Sequence, residues 1–242
     1  YWMEHPSGEI AQFLGEENKI NKVFKNKKNF FLVPSKSFIK NENLNIIRFN
    51  FMFWKKINDK SISHYIKDLV CIAPNLGKKI VEKISKNVVH CISVVKFSSE
   101  QKPDFENCVK LSKTDYDDLG IPKIELHWNI NDDVFKTLKR SLEKLGEETI
   151  NQNIGRIGID KYVYEKSFKE SNDIFGNHHH MGGTIMSNNV RKGVVDKNLK
   201  VENTNNLYVL GSSVFPSGGH FNPTYTIVQL ALRLANHLKN II

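Results

Sequence analysis

The amino-acid sequence predicts an α+β fold in which an antiparallel sheet is flanked by helices. Three observations predict it: strand-like apolar runs in the first half, an amphipathic repeat after residue 130, and a glycine-rich loop that enters a final helix. The chain has 242 residues, of which 40% are hydrophobic, so it is long enough to bury a substantial core. We therefore expect a globular protein, with the chemistry concentrated in the last quarter.

The first predicted strands are rich in aromatic residues. Apolar runs at Phe30–Val33 and Ile46–Phe53 flank a turn signal at Asn41–Asn45. Alternation in the second run places three phenylalanines on one face: Phe49, Phe51 and Phe53. Such a sheet wall is also what would line a substrate cavity.

Two later segments continue the strand pattern. Strands are predicted at Val88–Phe97 and at Lys123–Ile130. Alternation in the second of these predicts one buried face, formed by Ile124, Leu126 and Trp128. His127 would then lie on the outer face, away from any catalytic site.

Three helices are predicted before the closing segment. The first two span Ser61–Ile72 and Gly77–Ser85. The third runs over Val134–Asn151 behind a polar cap, with three leucines at helical spacing: Leu138, Leu142 and Leu145. The glycines and polar residues from Gly155 to Asn172 predict a linker.

The closing segment combines a strand, a loop and a helix. After an asparagine turn, Leu207–Leu210 is predicted to be a buried strand. Gly218 and Gly219 then lead to Asn222 as helix N-cap and Pro223 as first helical residue. Apolar residues on both sides predict that this helix is buried: Ile227, Val228, Leu230, Ala231, Leu232, Leu234 and Leu238.

The start of that helix has a possible chemical use. Its first backbone N–H groups and the helix dipole would stabilise a ligand that becomes negative there. The spacing alone is explained as well by an ordinary capped helix.

Five segments of the last quarter match known motifs in order and spacing. They are His179–Met186, Val194–Val201, Tyr208–Pro216, Gly218–Ile227 and Ala231–Leu238. Together they resemble the C-terminal signature of the glucose-methanol-choline (GMC) family of FAD-dependent alcohol oxidoreductases. The joint match is far more specific than any one of the segments.

The resemblance implies a catalytic pair, His179 and Asn222. In the family a histidine takes the hydroxyl proton while hydride passes to flavin N5, and such general-base help is worth roughly 10² to 10⁴ in rate. Asn222 would donate to the oxygen as it becomes alkoxide-like. Because three histidines stand here where the family has two, His178 and His180 remain alternative positions for the base.

The resemblance also implies that FAD is the cofactor. Gly211 and Ser212 would lie along its ribityl chain, and the helix start at Asn222, Pro223 and Thr224 would face the negatively charged edge of the reduced flavin.

The resemblance further implies a division of the chain. Residues 1–165 would form a substrate-binding region, in which Cys108–Ser112 pairs with Lys123–Ile130, and residues 166–242 would complete an FAD-binding domain.

None of the 14 glycines forms the Gly-x-Gly-x-x-Gly fingerprint of dinucleotide binding. We therefore expect a fragment that needs an N-terminal FAD-binding half as its partner, acts on a small-molecule alcohol, and is cytoplasmic.

Composition narrows the other function classes. The net charge is +9, but the basic residues are mostly scattered lysines, which favours a solvated face over nucleic-acid recognition. No apolar run is long enough to span a membrane.

In an extended segment the three histidines at 178–180 alternate sides, so no metal site is expected. A non-catalytic relative acting as a binding module, and a basic anion-binding module, stay open as alternatives.

Overall fold

The computed structural model describes residues 1–15, 31–52, 93–165, 174–189 and 191–241. The predicted helices Ser61–Ile72 and Gly77–Ser85 lie outside these residues, as does the beginning of the predicted strand Val88–Phe97. In chain order the elements are β1 (Trp2–Met3), β2 (Pro6–Gly15), α1 (Lys36–Glu42), β3 (Ile47–Met52), β4 (Ser93–Ser99), β5 (Cys108–Tyr116), β6 (Pro122–His127), α2 (Asp132–Asn151), β7 (Gly155–Ile159), a 3-10 turn (Lys161–Tyr164), β8 (Ile174–Gly176), β9 (Met181–Gly182), a second 3-10 turn (Ser212–Val214) and α3 (Thr224–Lys239).

The main sheet is antiparallel throughout, as predicted. Its strands lie in the order β3-β4-β2-β7, and β8 pairs with the beginning of β2. The long strand β2 therefore holds the sheet together, because three other strands take their register from it. Its alternation places Ile10 in the core.

One helix covers one face of this sheet. Val134, Leu138 and Leu142 of α2 recur every four residues and are fully buried. Leu138 and Leu142 pack with the sheet residues Ile10, Phe13, Ile47, Phe49, Val95 and Phe97. Burying each such side chain contributes roughly 1.5–3 kcal/mol, so this contact stabilises the sheet by several kcal/mol.

Two predictions in this region need correction. The expected linker after Gly155 contains β7, a strand of the main sheet, because Ile157 and Ile159 alternate with small or polar residues and pack against the core. Phe30 of the expected strand Phe30–Val33 lies outside the described residues, and the rest forms only one bridge, between Leu32 and Phe49. The short helix α1 runs into the predicted turn Asn41–Asn45, and its C-cap Asn43 is in a left-handed conformation, φ 50°.

The strands β5 and β6 form a separate hairpin. Their pairing was predicted, and His127 is exposed as expected. The predicted buried face is wrong, because Ile124 and Leu126 are 71% and 50% exposed. Most side chains of both strands are exposed, with Ser112 as the buried exception, so the apolar alternation of the hairpin meets solvent.

A second core gathers around the closing segment. β1 pairs with β9, and Met3 and Met181 pack there with Val195, Leu199, Val214, Phe215 and Leu234. The N-terminal residues of the chain are thereby held beside the histidine run. This contact places the first five residues in the candidate site described below.

The closing segment differs from its prediction in three respects. Leu207–Leu210 forms no strand, only a bridge between Lys200 and Tyr208, and Leu207 and Leu210 are exposed. α3 is buried on one side only, at Leu234, while its second apolar stripe faces outward. α3 begins at Thr224 with Pro223 as N-cap, so the predicted cap, Asn222, lies one residue earlier. None of the helices in the described part of the chain has the length and hydrophobicity of a membrane-spanning segment.

Candidate active site

A buried carboxylate organises the site. Glu4 follows β1 and its Oε1 accepts two backbone N–H bonds, from His5 at 2.9 Å and from His179 at 2.7 Å. Its Oε2 lies 3.3 Å from Nε2 of His180. A Cβ at Gly176 would stand 2.7 Å from Cγ of Glu4, so the glycine leaves room for this side chain. Glu4 thus anchors the backbone of the histidine run to the N-terminal strand.

Two imidazoles form a hydrogen-bonded pair whose tautomers follow from their partners. Nδ1 of His5 lies 2.9 Å from Nδ1 of His179, and Nε2 of His5 lies 3.2 Å from the carbonyl oxygen of Gly218. A carbonyl only accepts, so Nε2 of His5 carries the proton and its Nδ1 must accept. Nδ1–H of His179 therefore donates to His5. The lone pair of His179 is left on Nε2, which has no hydrogen-bond partner among the described residues.

Burial keeps both rings neutral. It lowers the pKa of His5 to about 4, against a smaller opposing effect of the Gly218 carbonyl. Burial also lowers the pKa of His179, with Glu4 opposing and the positive charge of Arg48 assisting the shift. At neutral pH His179 is therefore an unprotonated imidazole able to accept a proton.

The histidine run is not extended, which corrects the geometry expected for it. His178 has φ 57°, in the left-handed region, so the alternation of side chains breaks there. His178 and His180 are exposed, and His180 stacks on Trp2 with ring centroids 4.8 Å apart. Within the described residues no three His, Cys, Asp or Glu side chains gather as metal ligands do.

The side chain of Asn222 is oriented by Arg48. Nη2 of Arg48 on β3 donates to Oδ1 of Asn222 over 3.3 Å. With its oxygen occupied, Asn222 keeps its amide N–H groups for another acceptor, since Nδ2 has no partner among the described residues. Asn222 is exposed, so that acceptor can come from outside this part of the chain.

The glycine loop before Asn222 is fixed at both of its glycines. The carbonyl of Gly218 accepts from His5, and N–H of Gly219 donates to Oε1 of Glu100 over 3.2 Å. Gly219 has φ 60°, which favours glycine, and a Cβ at Gly218 would come within 3.1 Å of Cε of Met181. One network thus runs from His179 through His5 to the loop that carries Asn222.

The predicted cofactor-binding residues lie along the same segment. Gly211 has φ 146°, a conformation that L side chains rarely adopt, and Ser212 begins the second 3-10 turn. Pro223 caps α3 and Thr224 is its exposed first residue. The first turn of α3 has no side-chain cap and no acidic residue. Its free N–H groups therefore fit the electron-rich edge of a bound ring system.

Sequence reasoning missed three residues of this site: Glu4, His5 and Arg48. A signal existed for Arg48, a single charge inside the apolar run Ile46–Phe53, because buried charges are rare outside functional sites. Nothing in the sequence distinguished Glu4 and His5, because their role depends on the β1–β9 pairing.

Comparison with known proteins gives the family. The family described as GMC oxidoreductase matches residues 103–231. The chain is 31% identical over 165 residues to the fructose dehydrogenase large subunit of Gluconobacter japonicus, which covers 68% of this chain and 28% of that subunit.

Solved structures share the fold. Pyridoxine 4-oxidase from Mesorbium loti matches with a TM-score of 0.55 and 13% identity over 99% of this chain and 43% of its own. A variant of formate oxidase from Aspergillus oryzae RIB40, studied for its effect on FAD modification, matches with a TM-score of 0.50 and 15% identity over 99% of this chain and 46% of its own. The chain thus spans less than half the length of each of these relatives.

Proposed function

The chain belongs to the GMC oxidoreductase family, whose members are FAD-dependent flavoproteins, and on that premise we propose that it supplies the substrate side of an alcohol-oxidising enzyme. The reaction would convert a CH–OH group to a carbonyl, with FAD as cofactor. A small-molecule alcohol is the substrate class, and an FAD-binding half is the required partner.

His179 is the proposed base. The observation that carries this proposal is the pair of imidazoles, because the Gly218 carbonyl and His5 together leave the lone pair of His179 on Nε2. Nε2 takes the hydroxyl proton of the alcohol. The resulting imidazolium keeps its Nδ1–H bond to His5 and lies near the carboxylate of Glu4, which stabilises the positive charge.

Asn222 is the proposed donor to the substrate oxygen. As the hydroxyl loses its proton, the oxygen gains negative charge, and an amide N–H already in place stabilises it. The Arg48–Asn222 bond supports this role because it selects the amide orientation that offers N–H groups.

FAD, when bound, supplies the two-electron acceptor that takes hydride from the carbinol carbon. Gly211, Ser212 and the first turn of α3, at Asn222, Pro223 and Thr224, are the residues we expect to hold it. The N–H groups of that turn and the absence of a Cβ at Gly211 suit close backbone contact with a ring and its polyol chain.

Replacing the base tests the proposal. In a protein that joins this chain to its FAD-binding half, we expect His179→Ala to keep FAD absorbance and to slow flavin reduction at least about 100-fold. His178→Ala is the matched control, since His178 is an exposed neighbour in the same run and should leave the rate unchanged. D-fructose belongs in the substrate panel because of the relative from Gluconobacter japonicus.

Two results would contradict the proposal. Near-normal flavin reduction in His179→Ala would remove His179 from the mechanism. A protein that binds FAD and is reduced by no alcohol of the panel would instead favour the non-catalytic binding module.

A further inference from the structure

The site contains polar atoms that neither the fold nor the proposed reaction uses. Arg48 on β3 and Ser98 on β4 stand directly opposite each other, so their side chains share one face of the sheet. They are 8% and 5% exposed. Nε of Arg48 and Oγ of Ser98 are both buried without a hydrogen-bond partner, and so is Nε2 of His220.

Within the described residues the charge of Arg48 has no counter-ion. Its hydrogen bond goes to the neutral amide of Asn222, and no carboxylate of the described residues pairs with it. Glu4 and Glu100 both accept backbone N–H bonds near the histidines and the glycine loop. Burial lowers the pKa of Arg48, in keeping with a guanidinium that lacks a counter-ion.

Aromatic rings flank the guanidinium without neutralising it. Its carbon atom lies 4.5 Å from the ring centre of Phe31 and 5.7 Å from that of Phe221. Both rings are exposed, whereas the unpartnered atoms of Arg48, Ser98 and His220 are buried beneath them. Cation–π contacts are weaker than the hydrogen-bonded ion pair that a buried guanidinium requires. A ligand with a negative charge would supply what is missing.

The cluster also lies beside the proposed base. The charge of Arg48 lowers the pKa of both His179 and His220, so the three side chains are electrostatic neighbours. Burial is the larger cause for His220, which is therefore neutral and adds a hydrogen bond but no charge. One positive charge with neutral donors matches a monoanion better than a dianion such as phosphate.

We propose that Arg48 and Ser98 form a binding subsite for a substrate carboxylate, so that the alcohol oxidised at His179 is a hydroxy acid. The inference rests on the proposed function. The guanidinium donates to the carboxylate, as Arg does in charge-assisted pairs, and Oγ–H of Ser98 donates to its second oxygen. His220 completes the polar wall.

Matched substrates test the subsite. In the protein that joins this chain to its FAD-binding half, flavin reduction is measured with glycolate and 3-hydroxypropionate and with their amides, which keep the hydroxyl and lose the charge. The expected wild-type kcat/KM is at least about 10-fold higher for the acids. In Arg48→Gln we expect kcat/KM to fall about 100-fold for the acids. For the amides it should fall little more than loss of the Arg48–Asn222 bond alone would cause. In Ser98→Ala we expect kcat/KM for the acids to fall about 5-fold.

Two further variants separate charge from structure. Arg48→Lys keeps the charge and should retain part of the preference for acids. Arg156→Gln on β7 removes an exposed arginine, away from the site, and should change neither rate. Acetate serves as a non-reactive probe, and its saturable effect on flavin absorbance should disappear in Arg48→Gln.

The outcomes distinguish the subsite from the reaction. Equal losses on acids and amides in Arg48→Gln would overturn the inference and leave Arg48 as a positioning residue for Asn222. A shift of the flavin spectrum in Arg48→Gln, with the preference for acids unchanged, would place the guanidinium against the cofactor instead. If neutral alcohols reduce the flavin and hydroxy acids do not, the subsite fails while the proposed function stands. If no substrate reduces the flavin, the proposed function fails. The subsite is then decided by acetate: loss of acetate binding in Arg48→Gln supports it, and retained binding overturns it.

Discussion

At the scale of single residues, the site depends on side chains whose state is set by one or two neighbours. Glu4 holds the backbone of His179, His5 selects its tautomer, and Arg48 selects the orientation of Asn222. The two residues named from the sequence therefore do not act alone. Each has a buried partner that decides which of its atoms is left free to bind another molecule.

The buried ring of His5 makes stability depend on pH. Its pKa is about 4 in the folded chain and about 6.5 when unfolded, so below pH 6.5 the unfolded state binds the extra proton. The stability that neutral His5 contributes is present above pH 6.5 and is lost as pH falls through 4, by up to about 3 kcal/mol.

A His5 variant measures this contribution. We expect the difference in free energy of unfolding between the wild type and His5→Gln to shrink steadily from pH 7 to pH 4 in denaturant titrations. The exposed His127, changed to Gln, serves as control and should leave the pH dependence as in the wild type. A difference that stays constant over this range would show that His5 is not held neutral.

At the scale of elements, the short pair β1–β9 matters more than its length suggests. It places Glu4 and His5 against the histidine run, and it depends on Gly182, which has φ 76°. A Cβ at this position would collide with the carbonyl oxygen of Tyr1. The glycine therefore serves both the backbone conformation and the close approach of the two strands.

Two neighbouring glycines separate these effects. Gly183 also has positive φ, 101°, but a Cβ there would meet no atom within 4 Å. We expect Gly183→Ala to cost about 1 kcal/mol from backbone strain, and Gly182→Ala to cost at least about 1 kcal/mol more because the strand pair must open. Thermal or denaturant unfolding of both variants measures the difference. Equal costs would mean that β1 tolerates displacement.

The helix α2 shows an element that the sequence predicted well. Its leucine spacing and its polar start were readable, and the structure confirms its extent and its buried face. The hairpin β5–β6 shows the opposite, because alternation indicates strand geometry and cannot tell whether anything covers the apolar side.

At the scale of the whole molecule, the described chain leaves apolar surface open beside the candidate site. α3 has an exposed apolar stripe, formed by Tyr225, Val228 and Leu232. Two leucines of the preceding segment, Leu207 and Leu210, are also exposed. The burial predicted for Val228, Leu232, Leu207 and Leu210 is not found among the described residues. The proposed FAD-binding half would cover them, because a helix with apolar residues on both sides is typical of a buried element.

Charges on that stripe test the docking. In the protein joined to its FAD-binding half, we expect Val228→Lys combined with Leu232→Lys to lower the FAD content several-fold. The double variant would lose the apolar contact area of two side chains and would bury two charges in the interface. Gln229→Lys changes an exposed polar residue of the same helix and should retain FAD. Unchanged FAD-to-protein ratios in the double variant would place the partner elsewhere.

The sequence by itself determined the antiparallel α+β class and the helix α2, because these follow from local spacing and residue type. Its C-terminal motifs, taken in order, gave the resemblance to the family. Only the tertiary structure decided which histidine of the run meets a buried partner, which nitrogen it leaves free, and that Arg48 lies beside Asn222. Those facts depend on contacts between residues more than 170 positions apart, such as His5 with His179 and Arg48 with Asn222. Local periodicity carries no information about such pairs, since strand pairing and burial bring them together only after the chain has folded.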